Sequence, residues 1–184
     1  SEEARRRNNR IGRWSDLQWG YQSNGVFKTQ EEIDNWAIID GRQNASVNVG
    51  DIRLIDHNGD GVINSYDQVI IGQGNSPNVQ FGAQFSVSWK GVDFSMLWQG
   101  AGAYDVHYGR SADLRIPFAG GNAPILEHYN QAYVPKNEWG MPSNTNRYPT
   151  FPRFYWPGYS THNLNPNSEF WLANGNYLRL KNIE

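Results

Sequence analysis

The segment IDHNGDGVINSYDQV carries the one pattern in this chain suited to metal chemistry. Asp56, Asn58, Asp60, Asn64 and Asp67 occupy positions 1, 3, 5, 9 and 12 of a twelve-residue loop, and Gly61 stands at position 6, where such a loop turns sharply. This is EF-hand spacing with Asp in the twelfth place. Side-chain oxygens of Asp56, Asn58, Asp60, Asn64 and Asp67, with the carbonyl of Val62 at position 7, can surround a hard cation, while Ile63 points inward to brace the loop. An all-oxygen donor set selects Ca²⁺, with Mg²⁺ as the alternative, over zinc or copper. Asp reaches less far than Glu at position 12, so a structural ion of modest affinity is expected in place of a sensor. Asn-Gly-Asp-Gly can turn a chain without metal, since Gly and Asn supply positive φ unaided. Five matching positions are more than turn chemistry needs.

No other stretch offers comparable chemistry. There are no cysteines, so neither disulfides nor Cys-based zinc sites are available. His107, His128 and His162 share no metal-ligand spacing. No Ser/His/Asp arrangement, phosphate-cradling loop or paired catalytic carboxylates is present, and no enzyme activity is expected. A net charge of −2 gives no reason to expect nucleic acid. The ring-dense run RYPTFPRFYWPGY (147–159) nominates Tyr148, Phe154, Tyr155 and Trp156 for substrate contact, because sugar faces stack on such rings. Prolines and aromatics also pack loops into rigid shapes.

The dominant element is 78–102, NVQFGAQFSVSWKGVDFSMLWQGAG. Phe81, Ala83, Phe85, Val87 and Trp89 alternate with Gln80, Gly82, Gln84, Ser86, Ser88 and Lys90, a period of two. After a turn at Lys90-Gly91, Val92, Phe94, Met96 and Trp98 alternate with Asp93, Ser95 and Gln99, and Leu97 alone breaks the polar side. The result is a hairpin with one apolar face. Each strand has the roughly 9–11 residues that a tilted strand needs to cross a bilayer, with aromatics at both ends of the apolar band. No run of 18 apolar residues exists, so no transmembrane helix is expected. Aromatics make up 14% of the 184 residues, with 19 glycines and nine prolines, and the mean hydropathy is −0.72. Such a composition is all-β and loop-rich.

Four regions follow. Residues 1–77 are expected to form a strand end and a long extracellular loop that includes the metal loop at 56–67. Within them Asn24-Gly25 reads as a turn, and Thr29 with Glu32 reads as the capping box of a helix of about two turns. The metal loop lies between the strand-like DIRLI and QVIIG. Residues 78–101 are the transmembrane hairpin with its periplasmic turn at 90–91. Residues 102–170 form a second long extracellular loop, with a short helix possible over PILEHYNQAY (124–133), and 171–184 open the next barrel strand. The chain starts on SEEARRRNNR, without an apolar core, and stops at YLRLKNIE in a strand pattern, so it is expected to be an internal piece of a longer polypeptide.

In order along the chain, RRNNRIG, WGYQSNGVFKTQEEID, GDIRLIDHNGDGVINSYDQVIIG, FGAQFSVSWKGVDFSMLWQGAG, RYPTFPR and FWLANGNYLRLKNIE resemble the C-terminal part of SusC/RagA-like TonB-dependent outer-membrane transporters. Departures are small: Trp89 stands where that family often has Tyr, and Asn174 and Asn176 replace acidic and Ser positions. The resemblance implies a 22-stranded β-barrel with a plug, of which this chain holds a few late strands. It further implies import of glycans or peptides with TonB-supplied energy, a SusD-like lipoprotein lid, and an outer-membrane location with the long loops outside. Partners would then be the rest of the barrel and plug, the lid, the TonB complex, the substrate and membrane lipid. The alternative is a soluble, calcium-stabilised all-β carbohydrate-binding or dockerin-like module. The single copy of the loop and the strand after it speak against a dockerin.

Overall fold

The structure, a computed structural model, describes residues 9–108, 152–153 and 167–184. The elements are β1 (Gln18–Gly20), β2 (Ser23–Val26), α1 (Gln30–Asp34), β3 (Ile52–Leu54), β4 (Val69–Gly72), β5 (Val79–Trp89), β6 (Val92–Gly102), β7 (Asp105–His107), β8 (Leu172–Asn174) and β9 (Tyr177–Ile183). The chain is all-β, as its composition predicts, and no described helix is long and apolar enough to cross a membrane. The possible helix at 124–133, the rings Tyr148, Phe154, Tyr155 and Trp156, and His128 and His162 lie outside the described residues.

β5 and β6 form an unbroken antiparallel ladder of eleven residues each. Its register runs from Val79 opposite Gly102 to Trp89 opposite Val92. Lys90 (φ 50°) and Gly91 (φ 85°) close the hairpin. Two consecutive positive φ values make the mirror-image two-residue turn whose twist suits the strands on either side. Phe81/Gly100, Ala83/Trp98, Phe85/Met96, Val87/Phe94 and Trp89/Val92 fall on one face, and Ser86/Ser95 and Ser88/Asp93 on the other. The apolar face is open: Trp89 is 69% exposed and Phe85 54%.

β9 pairs with the far side of β6, giving the order β5-β6-β9. Its sequence YLRLKNI starts in alternation and then slips by one, because Lys181 and Asn182 follow one another. A straight ladder would swing Ile183 onto the polar face. The pairing jumps from Trp98↔Leu180 to Leu97↔Asn182, leaving Lys181 as the extra residue of a bulge. Ile183 thereby rejoins the apolar face opposite Met96.

The remaining described residues build a cap at the open end of this sheet. β1 pairs with β4, β2 with β3, and β7 with β8, all antiparallel. Ala103 (φ 56°) separates β6 from β7. Two small cores fill the cap. Phe27, Ile33 and Val47 form one, flanked by Trp36, Ile39 and Val49. Ile52, Leu54 and Trp171 form the other, against which Tyr21, Ile39, Ile63, Tyr108 and Phe170 pack. Ile39 belongs to both margins and joins them.

The cap departs from the sequence expectation in three places. Asn24-Gly25 does not turn the chain back. It is a bulge inside β2, where Gly25 takes φ 78° and Ser23 and Val26 pair with Leu54 and Ile52. β1 and β2 are therefore not a hairpin but edge partners of β4 and β3. The stretch 171–184 is not one strand either: Trp171 ends a 3-10 turn (Glu169–Trp171) and is fully buried, β8 pairs with β7, and only β9 joins the long sheet. Helix α1 is five residues long. Thr29 Oγ1 accepts from Glu32 N–H as expected, but the Glu32 carboxylate accepts from Lys28 N–H, one residue before the expected position.

Candidate metal centre

The 56–67 loop hangs between β3 and β4 and is folded by its own acidic side chains. Asp56 Oδ1 accepts from Asn58 N–H (3.1 Å) and Gly59 N–H (2.7 Å), and Oδ2 accepts from Gly61 N–H (2.8 Å). Asn58 Oδ1 accepts from Asp60 N–H at 2.8 Å, and Asp60 Oδ1 from Val62 N–H at 2.9 Å. The bonds to the N–H two residues on, at Asp56, Asn58 and Asp60, are Asx turns, by which Asp and Asn bend a chain. Gly61 takes φ 80° with nothing near its missing Cβ, so the backbone conformation and not space restricts this position to glycine. The loop closes on Asp67, whose Oδ1 accepts from His57 and Asn58 N–H (3.0 and 3.2 Å) and Oδ2 from Asn64 N–H (2.9 Å). Asn64 and Asp67 also form the capping box of the 3-10 turn Ser65–Asp67.

A strap over residues 36–47 holds the loop from behind. Ile38 N–H donates to Gly61 O and Ile63 N–H donates to Ile38 O, both at 2.8 Å, in a parallel bridge to Val62. Ile63 packs inward on the Trp171 cluster as expected. Two polar knots shape the strap. Asn44, buried, accepts from Ile39 N–H (2.7 Å) and donates through Nδ2 to the carbonyls of Ile33 (3.3 Å), Trp36 (3.4 Å) and Ala37 (3.1 Å). Asp40 accepts from the N–H groups of Arg42, Asn44 and Ser46 and from the Ser46 hydroxyl. Burial alone would raise the Asp40 pKa. The bonds from Ser46, Arg42 and Asn44 outweigh it and bring the value down to about 2.

The loop concentrates three acidic side chains, Asp56, Asp60 and Asp67, in twelve residues. Burial tends to raise the pKa of Asp56, but the amides of Gly61, Gly59 and Asn58 outweigh it, and the Asp67 carboxyl lies within hydrogen-bonding reach. Asp67 is fully buried. Among the described residues no lysine or arginine pairs with Asp56, Asp60 or Asp67. Backbone N–H groups hold both carboxylates, three on Asp56 and three on Asp67. Among the described residues no three His, Cys, Asp or Glu side chains are gathered as a cation cage. Any ion here would therefore rely also on the Asn58 amide and the Val62 carbonyl, which are oxygen donors of the kind calcium accepts. That carbonyl also accepts from Asn64 Nδ2 at 3.2 Å.

Several positioning residues escape the sequence pattern. Arg153 makes an ion pair with the fully buried Asp51 (Nε to Oδ1, 2.6 Å), and its N–H donates to Gly50 O at 2.9 Å. This clamp joins residues 102 apart. Gly20 lets the chain near Asn167 approach β1 so closely that any Cβ would strike the Asn167 carbonyl. Tyr21 then bonds both ways, to Asn167 O and from Glu169 N–H. Neither link has a local signature, since both partners are distant in sequence.

No family model matches the chain. Over 165 residues it is 29% identical to the TonB-dependent receptor P26 of Formosa agariphila. The match takes in 86% of this chain and 14% of that much longer protein. Three features now stand together: an all-β chain, a sheet with one apolar and open face, and a relative named as a TonB-dependent receptor.

Proposed function

We propose that this chain is a late segment of the barrel of an outer-membrane, TonB-dependent transporter of the SusC/RagA kind. The observation that carries the reading is the β5-β6-β9 sheet. Its long strands expose one continuous apolar face and, among the described residues, both its edges are unpaired. Unpaired strand edges in lipid cost several kcal/mol per group, so such a sheet calls for further strands on either side. In this reading Phe81, Phe85, Val87, Trp89, Val92, Phe94, Met96 and Trp98 meet lipid. Gln80, Gln84, Ser86, Ser88, Asp93, Ser95 and Gln99 face the lumen, where water or a plug satisfies them. The Lys90-Gly91 turn is periplasmic and the cap extracellular.

Glycan or peptide import, with a SusD-like lipoprotein over the mouth, is the activity this assignment brings with it. Ca²⁺ in the 56–67 loop, held by Asp56, Asn58, Asp60, Val62, Asn64 and Asp67, stiffens the cap as a structural ion. The test is purification of the native protein from detergent-solubilised outer membranes, with mass spectrometry of what co-purifies. The expected result is peptides of a chain several times longer together with a surface lipoprotein. Release of the protein from membranes without detergent contradicts the barrel assignment.

A further inference from the structure

We infer that the 36–47 strap is the partner of the cation loop, so that an ion bound at 56–67 sets the order of the strap as well as of the loop. This rests on the calcium reading above and adds to it where the ion's effect goes. The loop's inner edge is bonded to the strap at Ile38. Its two bonds there, Ile38 N–H to Gly61 O and Ile63 N–H to Ile38 O, fall on the residues that follow Asp60 and Val62. Asp60 and Val62 are themselves proposed cation donors. Movement of the Asp60–Val62 backbone therefore reaches Ile38 through two hydrogen bonds of 2.8 Å.

From Ile38 the path divides. Ile39 packs on both cap cores, and its N–H is held by Asn44. Asn44 in turn grips the carbonyls at the end of α1. The strap has no regular secondary structure beyond the bridge, and Gly41, Gln43 and Asn44 all take positive φ (69°, 55° and 62°). Such a segment owes its order to side-chain bonds and to what it is pinned against, which places it among the parts of a fold that open locally. An ion that fixes the loop fixes one of those two supports. The loop in exchange gains a rigid back wall, which pre-organises its oxygens.

The test is hydrogen exchange by mass spectrometry on the full-length receptor in detergent micelles, with millimolar calcium chloride or with EGTA. Calcium is expected to slow exchange in 56–67 and also, by about tenfold or more, in peptides covering 36–47, the change an added ion produces when it stabilises a local opening unit. Two variants leave every loop oxygen in place. Ile38→Pro removes the donor to Gly61, and Asn44→Ala loosens the strap without touching the bridge. In either variant calcium should still protect 56–67 while its effect on 36–47 falls away. If calcium protects 56–67 in the wild type but leaves 36–47 unchanged, the coupling is wrong and the cation site stands. If calcium changes neither segment, the cation reading fails and the inference with it. Protection of 36–47 that survives in both variants also overturns the strap's role.

Discussion

Asp40 is the residue whose chemistry makes the sharpest claim on solution behaviour. Its carboxylate gathers three backbone N–H groups and a hydroxyl into the knot that shapes the strap, and its pKa in the fold is held near 2. An unfolded Asp titrates near 3.9. The folded value is the lower one, so the unfolded chain takes up the proton first and acid favours unfolding. The stabilisation is complete above about pH 4 and is lost as pH falls through about 2. Asp40→Asn keeps the shape but not the charge. It should lower stability at neutral pH and flatten the loss of stability between pH 4 and pH 2, read as the midpoint of thermal unfolding by tryptophan fluorescence in detergent. An acid limb as steep as that of the wild type would show that the knot does not depend on ionised Asp40. The knot was hidden in the sequence for a physical reason. Asp40-Gly41 has the composition of any turn, and nothing local says that its carboxylate will collect amides two, four and six residues on.

At the scale of elements, what the sequence made legible was periodicity. The hairpin, its turn at Lys90-Gly91 and its two faces follow from alternation, because a period of two is all that a strand needs to segregate its side chains. The tight turning of 56–67 was legible through spacing, and Asx turns at Asp56, Asn58 and Asp60 fold it. Pairings between distant segments were not legible. Asn24-Gly25 has hairpin-turn composition, yet the same positive φ at Gly25 serves a bulge, and only the partner strand β3 decides between the two. β9 offers a case where the phase of the pattern makes a prediction. Deleting Lys181 removes the extra residue and leaves Leu180, Asn182 and Ile183 on their present faces, so barrel assembly should survive. Deleting Leu180 instead moves Lys181 into the place opposite Trp98 on the apolar face. A lysine facing lipid costs about 2–4 kcal/mol near the midplane, and assembly should suffer. Heat-modifiable gel mobility of the proposed barrel compares the two, and equal tolerance of both deletions would contradict the assignment of faces.

For the molecule as a whole, the question is what the two halves of this chain need in order to stay folded. The cap has its own cores, with Phe27, Ile33, Ile52 and Trp171 at 0–1% exposure, and the Asp51–Arg153 clamp ties its distant segments together. The sheet has no such core. Phe81, Phe85, Val87, Trp89, Val92, Leu178 and Ile183 remain exposed, and among the described residues β5 and β9 each have an unpaired edge. An apolar face of this extent is not kept in water by a monomer, and open edges recruit further strands. The 184-residue chain expressed alone is therefore expected to associate in aqueous buffer through its sheet. Detergent micelles, which cover the apolar face but leave the edges open, should relieve only part of that association. Analytical ultracentrifugation with and without detergent measures this directly. Large, polydisperse species in buffer that shrink in micelles are the expected outcome, because micelles supply the cover that lipid gives but not the neighbouring strands. A monodisperse monomer without detergent would mean that other parts of the chain cover the apolar face, as in a soluble sandwich. The alternation of residues 78–102 would then describe a core and not a membrane surface.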